Sequence, residues 1–182
     1  DIGMLKSLLK FFLLLTIFSW ASIVIFADKD EFEEDVPAHG VKRGGNDTIS
    51  IVSFLLYDQP NKEFRELKNQ TTVQSGNRFL INIKNSVRAY VYILNIDATN
   101  TLYSLFPNNN IKQKNPLNKN KIVSLPTSSK KSIALYEFDD NTGKEIYYVF
   151  VSKKPLKTIR NIIKKIPKAG LNLNNKPKVI KK

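Results

Sequence analysis

Hydrophobic and polar positions divide the chain into stretches with different periods. Phe11 to Phe26 is apolar, broken only by Thr16, Ser19 and Ser22. From Thr48 to Ser152 the pattern is that of strands. Ile49 to Tyr57 is a nearly continuous apolar run, which predicts a strand covered on both faces. Phe79, Ile81 and Ile83 alternate with Arg78, Asn82 and Lys84, which predicts a strand with one wet face. Across Ala89 to Asp97, Tyr90, Tyr92, Leu94 and Ile96 are expected on one side and Val91 and Ile93 on the other. Ala98 to Asn100 reads as a turn, and Thr101 to Phe106 returns as the partner strand until Pro107 stops the pairing. Ile122 to Leu125 is short and ends at Pro126. Ile133 to Phe138 and Glu145 to Val151 flank Asp139 to Gly143, which predicts a second hairpin.

Seven short strands with turn signals between them predict an all-β fold, an antiparallel two-sheet sandwich. Crossover helices are missing, which excludes a parallel α/β sheet. After residue 155 the period changes. Leu156, Ile159, Ile162, Ile163 and Ile166 recur at helical spacing, with Lys157, Arg160, Lys164 and Lys165 opposite and Pro155 and Pro167 as bounds. The expected organisation is a signal helix or anchor over 1–27, an acidic and glycine-containing linker over 28–46, the sandwich over 47–153, a short basic amphipathic helix over 154–167 and a disordered basic tail over 168–182.

Charge and composition give the first segment its meaning. Lys6 and Lys10 precede the apolar run, Ala27 offers a small residue for cleavage, and acidic Asp28 to Asp35 follows. This order is that of a secretory signal with its N-terminus in the cytoplasm. Ile25, three residues before the expected cut, is bulky, and the run approaches the roughly 17–25 residues that span a bilayer. Retention as an inner-membrane anchor over residues 4–27 therefore stands beside cleavage, and the expected location is periplasmic or extracellular. The chain has no cysteine, so neither a lipidated cysteine nor a disulfide contributes. Of the formal net charge of +13, most comes from residues 153–182, which hold eleven Lys or Arg and no acid.

Candidate chemistry is sparse. His39 is the sole histidine, which leaves no transition-metal set or Ser–His pair to assemble. Asp139-Asp-Asn-Thr-Gly143 lacks the ligand spacing of a calcium loop and suits a turn. No cofactor, metal site or catalytic residue is expected. Export argues against nucleic acid. Partner contacts are expected at Phe106, Asn108, Asn109, Asn110 and Lys112, beside the long polar loop from Asn108 to Asn120. They are also expected at Lys157, Ile159, Arg160, Ile163 and Lys164 of the basic helix, unless its apolar face simply docks on the sandwich. The partner would be another envelope protein or complex, or an anionic membrane surface reached through that helix. An enzyme, such as a periplasmic hydrolase, would need titratable groups converging in one pocket. Asp97, Glu137, Asp139 and Glu145 sharing a cleft would count against a purely non-enzymatic reading.

Tyr90-Val-Tyr-Ile-Leu-Asn-Ile-Asp97, with Leu105-Phe-Pro-Asn108 after it, resembles the core of domain-of-unknown-function family 4384. The Asn118 to Pro126 stretch, the Gly143-Lys-Glu145 turn and Val149 to Ser152 leading into Pro155-Leu156 are similar to it as well. The likeness covers roughly residues 48–157. Asn100 departs from the glycine common there, and Asn tolerates the left-handed backbone such a turn needs. The resemblance implies a β-rich module, often exported or appended to enzymes such as kinases and caspase-like peptidases, with no agreed activity. It supports a binding or scaffolding part and supplies no catalytic residues; with export, the expected role is that of a component or adaptor of a bacterial cell-envelope assembly.

Overall fold

A computed structural model of the chain describes residues 21–27, 41–42, 48–127 and 133–174. The strands are β1 (Ala21–Ala27), β2 (Val41–Lys42), β3 (Thr48–Asp58), β4 (Glu63–Glu66), β5 (Arg78–Asn85), β6 (Tyr90–Ile96), β7 (Thr101–Phe106), β8 (Ile122–Leu125), β9 (Tyr136–Glu137), β10 (Glu145–Ser152) and β11 (Leu171–Asn172), with one helix, α1 (Lys157–Lys165). They form two sheets. One has the order β1-β10-β6-β7-β11; the other has β2-β3-β5-β8, with β4 paired to β3 and β9 to β5. The pairings are antiparallel except β1 with β10, which is parallel.

The inner faces of the sheets make the core. Val52, Phe54 and Leu56 of β3 and Phe79, Ile81 and Ile83 of β5 meet Val91 and Ile93 of β6 and Tyr147, Val149 and Val151 of β10. This is the period-two alternation expected of β6 and β5. The pairing of β6 with β7 shifts register between Ile93, opposite Phe106, and Leu94, opposite Ser104. Leu105 is thus the extra residue of a bulge, and both Leu105 and Phe106 pack against the inner core.

The other face of the first sheet carries a second apolar cluster. Leu94, Ile96, Leu102 and Tyr148 are covered there by Ile162, Ile163 and Ile166 of the helical segment and by Leu171 and Leu173. The helix is anchored where Tyr92 Oη accepts the Leu156 N–H at 3.1 Å. Its amphipathic stripe therefore seals the sheet, and its basic face, with Lys157, Arg160, Lys164 and Lys165, is exposed. No helix among the described residues is long and apolar enough to cross a membrane.

Several expectations are corrected. The second hairpin does not form: β9 pairs with β5, opposite Arg78 and Phe79, whereas β10 pairs with β6. The chain crosses from one sheet to the other because Phe138 is buried against Phe79 (ring centroids 4.7 Å apart) and its backbone closes on Asn77 and Gly76. β3 is not covered on both faces, since Ile51 is 47% exposed. The tail is not disordered throughout: β11 pairs with β7, and Leu173 N–H reaches the Asn100 carbonyl. Within the linker, Val41–Lys42 pairs with β3.

Ala21–Ala27, expected as the end of a signal helix, is a strand along β10, as its run of β-branched Ile23, Val24 and Ile25 favours. Residues 1–20 lie outside the described residues, as do residues 28–40. Ser22 stands opposite Ile146, and adjacent strands lie within disulfide reach. In this cysteine-free chain, Ser22→Cys with Ile146→Cys should form an intramolecular disulfide on mild oxidation, read as a mobility shift that a reductant reverses. A pair that stays reduced would place this segment elsewhere.

Candidate functional site

The crossing between sheets builds a cleft. Asn95 and Asp97 end β6, Tyr103 and Leu105 belong to β7, and Tyr136 to Asp139 runs through and past β9. Glu145 and Tyr147 open β10, and these residues together with Phe79 line a volume of about 160 Å³. The four acids whose convergence bears on catalysis, Asp97, Glu137, Asp139 and Glu145, all border it. They are four of the nine acids in residues 36–152 of a chain with net charge +13, so this is a local concentration of negative charge on a basic protein.

Local sequence explains how each acid is held. Asp97 is 8% exposed, and its Oδ1 accepts the Thr99 N–H (2.9 Å), the Thr99 hydroxyl (2.7 Å) and the Thr101 N–H (2.8 Å). This fastens the β6–β7 turn, where Asn100 adopts the left-handed conformation with φ +62°. Gly143 brings the β10 approach against that turn: a Cβ there would lie 2.8 Å from the Ala98 Cβ. Glu137 receives the Arg78 Nε–H at 2.7 Å on the exposed rim. Asp139 accepts the backbone and side-chain N–H groups of Asn141, both at 2.9 Å. Asn95 Nδ2 donates to Glu145 Oε2 at 2.7 Å.

Burial raises the Glu145 carboxyl above its ordinary value of 4.5. The Asn95 and Ala98 N–H donors oppose the shift, and the charges of Asp97 and Asp139 add to it. Burial also raises the hydroxyls of Tyr136 and Tyr147, and raises Tyr103, with negative Asp97 beside it. Among the described residues, no three His, Cys, Asp or Glu side chains are placed to hold a metal ion.

Because the folded state favours protonated Glu145, that stabilisation is full below about pH 4.5 and is lost as pH rises through the folded value. Glu145→Gln should flatten the decline in Tm over the window just above pH 4.5. A variant whose Tm falls as steeply as that of the wild type would remove Glu145 as the cause.

The residues expected to touch a partner lie outside this cleft. Phe106 is fully buried, and Asn108 is half-buried, its amide donating to the Leu105 carbonyl at 2.8 Å and its Oδ1 accepting the Asn110 N–H at 2.9 Å. Asn109, Asn110 and Lys112 are exposed. Ile159 is 7% exposed and Ile163 half-buried against the outer cluster, so these two serve the fold, while Lys157, Arg160 and Lys164 face solvent. The long polar loop is pinned as well. Asn115 exchanges two hydrogen bonds with the Val91 backbone (2.7 and 3.0 Å), and Leu117 is buried.

Sequence reasoning missed Asn95, Tyr103, Tyr136 and Tyr147 as site residues. The available signal was spacing: Glu145 and Tyr147, two apart on a strand, share a face. Compared with known proteins, residues 72–155 match the family model of a domain of unknown function (DUF4384), and every residue lining the cleft falls within that stretch. No curated protein and no solved structure matches the chain.

Proposed function

With residues 72–155 forming a domain of family 4384, we propose that the chain is an exported, non-enzymatic binding module of a bacterial cell envelope. Its binding site in this reading is the acidic, aromatic cleft between the two sheets. The observation that carries it is the gathering of Asp97, Glu137, Asp139 and Glu145 beside Tyr103, Tyr136 and Tyr147 in one opening. Concave sites with a few convergent polar groups are where ligands bind. Export rests on the order of charge and hydropathy over residues 4–35. The membrane-surface reading loses its apolar half, because the helical isoleucines are engaged on the sheet, and only the basic face is left to it.

A second reading has an observation in its favour. The shared cleft weighs against a purely non-enzymatic protein, and a carboxyl raised by burial near a second carboxylate is the pattern of an acid–base pair. Against it, each carboxylate already has a structural partner, in the Asp97 turn, the Arg78 pair, the Asn141 turn and the Asn95 amide.

The test is affinity capture from intact envelopes using the wild-type chain, Glu145→Gln and a chain trimmed after Asn174. A partner lost with Glu145→Gln alone supports the cleft. Loss only on trimming supports the basic tail, and capture of nothing sinks the binding reading. Turnover of an envelope substrate that Glu145→Gln abolishes would establish the enzyme.

A further inference from the structure

Two turns, Arg78 and the Asn95 amide account for the acids of the cleft; none of them accounts for Tyr147. Its ring is fixed in the core, edge-on to Phe54 (centroids 5.0 Å apart) and Phe79 (5.8 Å). The residue is 3% exposed and borders the cleft. Its hydroxyl makes no hydrogen bond with any described residue and faces the cleft instead. That hydroxyl is not closed off, since among the described residues the buried side-chain atom without a partner is Asn85 Nδ2; it opens on the cleft, where water or an entering ligand is its partner.

Resting on the reading of this cleft as a binding site, we propose that the group it takes is a guanidinium, an arginine-type cation laid between the tyrosines and the carboxylates. The lining offers four carboxylate side chains, aromatic rings and tyrosine hydroxyls that can accept as well as donate. A guanidinium is planar, carries five N–H donors and no acceptor, and stacks on aromatic faces. A sugar brings acceptors as well as donors to a lining dominated by carboxylate acceptors, where the Asn95 amide already donates to Glu145 at 2.7 Å. The volume of about 160 Å³ equals that of roughly five waters, enough for one planar headgroup and its stem. Charge selects the same ligand: four acids border the opening, and Arg78 is ion-paired to the outermost of them, Glu137.

The probe is agmatine, a guanidinium on a short alkyl stem, titrated into the full chain by calorimetry, with a blocked arginine-containing pentapeptide and a methyl glycoside in parallel. Saturable agmatine binding is expected at a Kd of about 1 mM or tighter. Tyr147→Phe should weaken it about three- to tenfold and leave Tm unchanged, because the lost hydroxyl holds nothing in the fold. Tighter binding of the pentapeptide identifies a partner protein's arginine as the source, and tighter binding of agmatine identifies a free small cation. No saturable agmatine binding, binding indifferent to Tyr147→Phe, or binding of the glycoside in its place overturns the proposal. Envelope capture that needs Glu145 in a chain that ignores agmatine would leave the binding module standing and reject the guanidinium alone.

Discussion

Phe106→Ala should lower the unfolding free energy by about 3–5 kcal/mol, read from chemical denaturation at constant m-value. Phe106 has no exposed surface and lies in the cluster that joins the two sheets. The bulge at Leu105 puts two successive large side chains into the same core, so truncating one leaves its neighbour over a void that the adjacent strands cannot fill. Single domains are stable by about 5–15 kcal/mol, which makes this loss a large fraction of the whole. Phe106→Leu should cost less, about 1–1.5 kcal/mol, because it keeps most of the volume. The result also separates two roles for the Leu-Phe-Pro-Asn segment. A recognition residue would lose binding on truncation and keep its stability; Phe106 should do the reverse.

The strands were readable in the sequence wherever alternation and punctuation agreed. β7 ends at Phe106 and β8 at Leu125, each before a proline, and β6 alternates inward and outward across its length. Sheet membership was not readable. Asp139 to Gly143 has the composition of a hairpin turn, but Phe138 is drawn into the core against Phe79, and that long-range contact sends β9 to one sheet and β10 to the other. Nothing local encodes it. The cleft was half legible for the same reason: its acids are visible as residues, and their convergence depends on the crossing. The tyrosines were assigned to the core, which is correct for the Tyr147 ring and silent about its hydroxyl. On the outer face, helical periodicity identified the stripe of isoleucines but not its target. That target is the Leu94, Ile96, Leu102 and Tyr148 cluster, which exists only once β6, β7 and β10 lie side by side.

Asp97→Ala should cost roughly 3 kcal/mol or more in stability, whereas Asp97→Asn should cost about 1 kcal/mol or less, both read by chemical denaturation. One oxygen of this side chain accepts three hydrogen bonds, two from backbone N–H groups of the β6–β7 turn. Alanine leaves the Thr101 N–H, on a residue only 8% exposed, with no acceptor in place of Oδ1, and a donor buried in that state costs about 1–3 kcal/mol by itself. Asparagine keeps an oxygen in the same place; it removes the charge and exchanges the other oxygen, beside the Tyr103 hydroxyl, for an amide NH2. The pair of variants therefore divides the residue's two roles. If Asp97 serves the turn alone, Asp97→Asn behaves as wild type in every assay. If its charge also contributes to the field of the cleft, Asp97→Asn folds normally and binds a guanidinium more weakly, with the salt dependence of binding reduced. Glu145→Gln should act in the same direction from the neighbouring strand of the same sheet. Stability retained together with weakened binding in both variants would separate the electrostatics of the cleft from the turns that hold it open, a separation that Asp97→Ala, which disturbs both, cannot make.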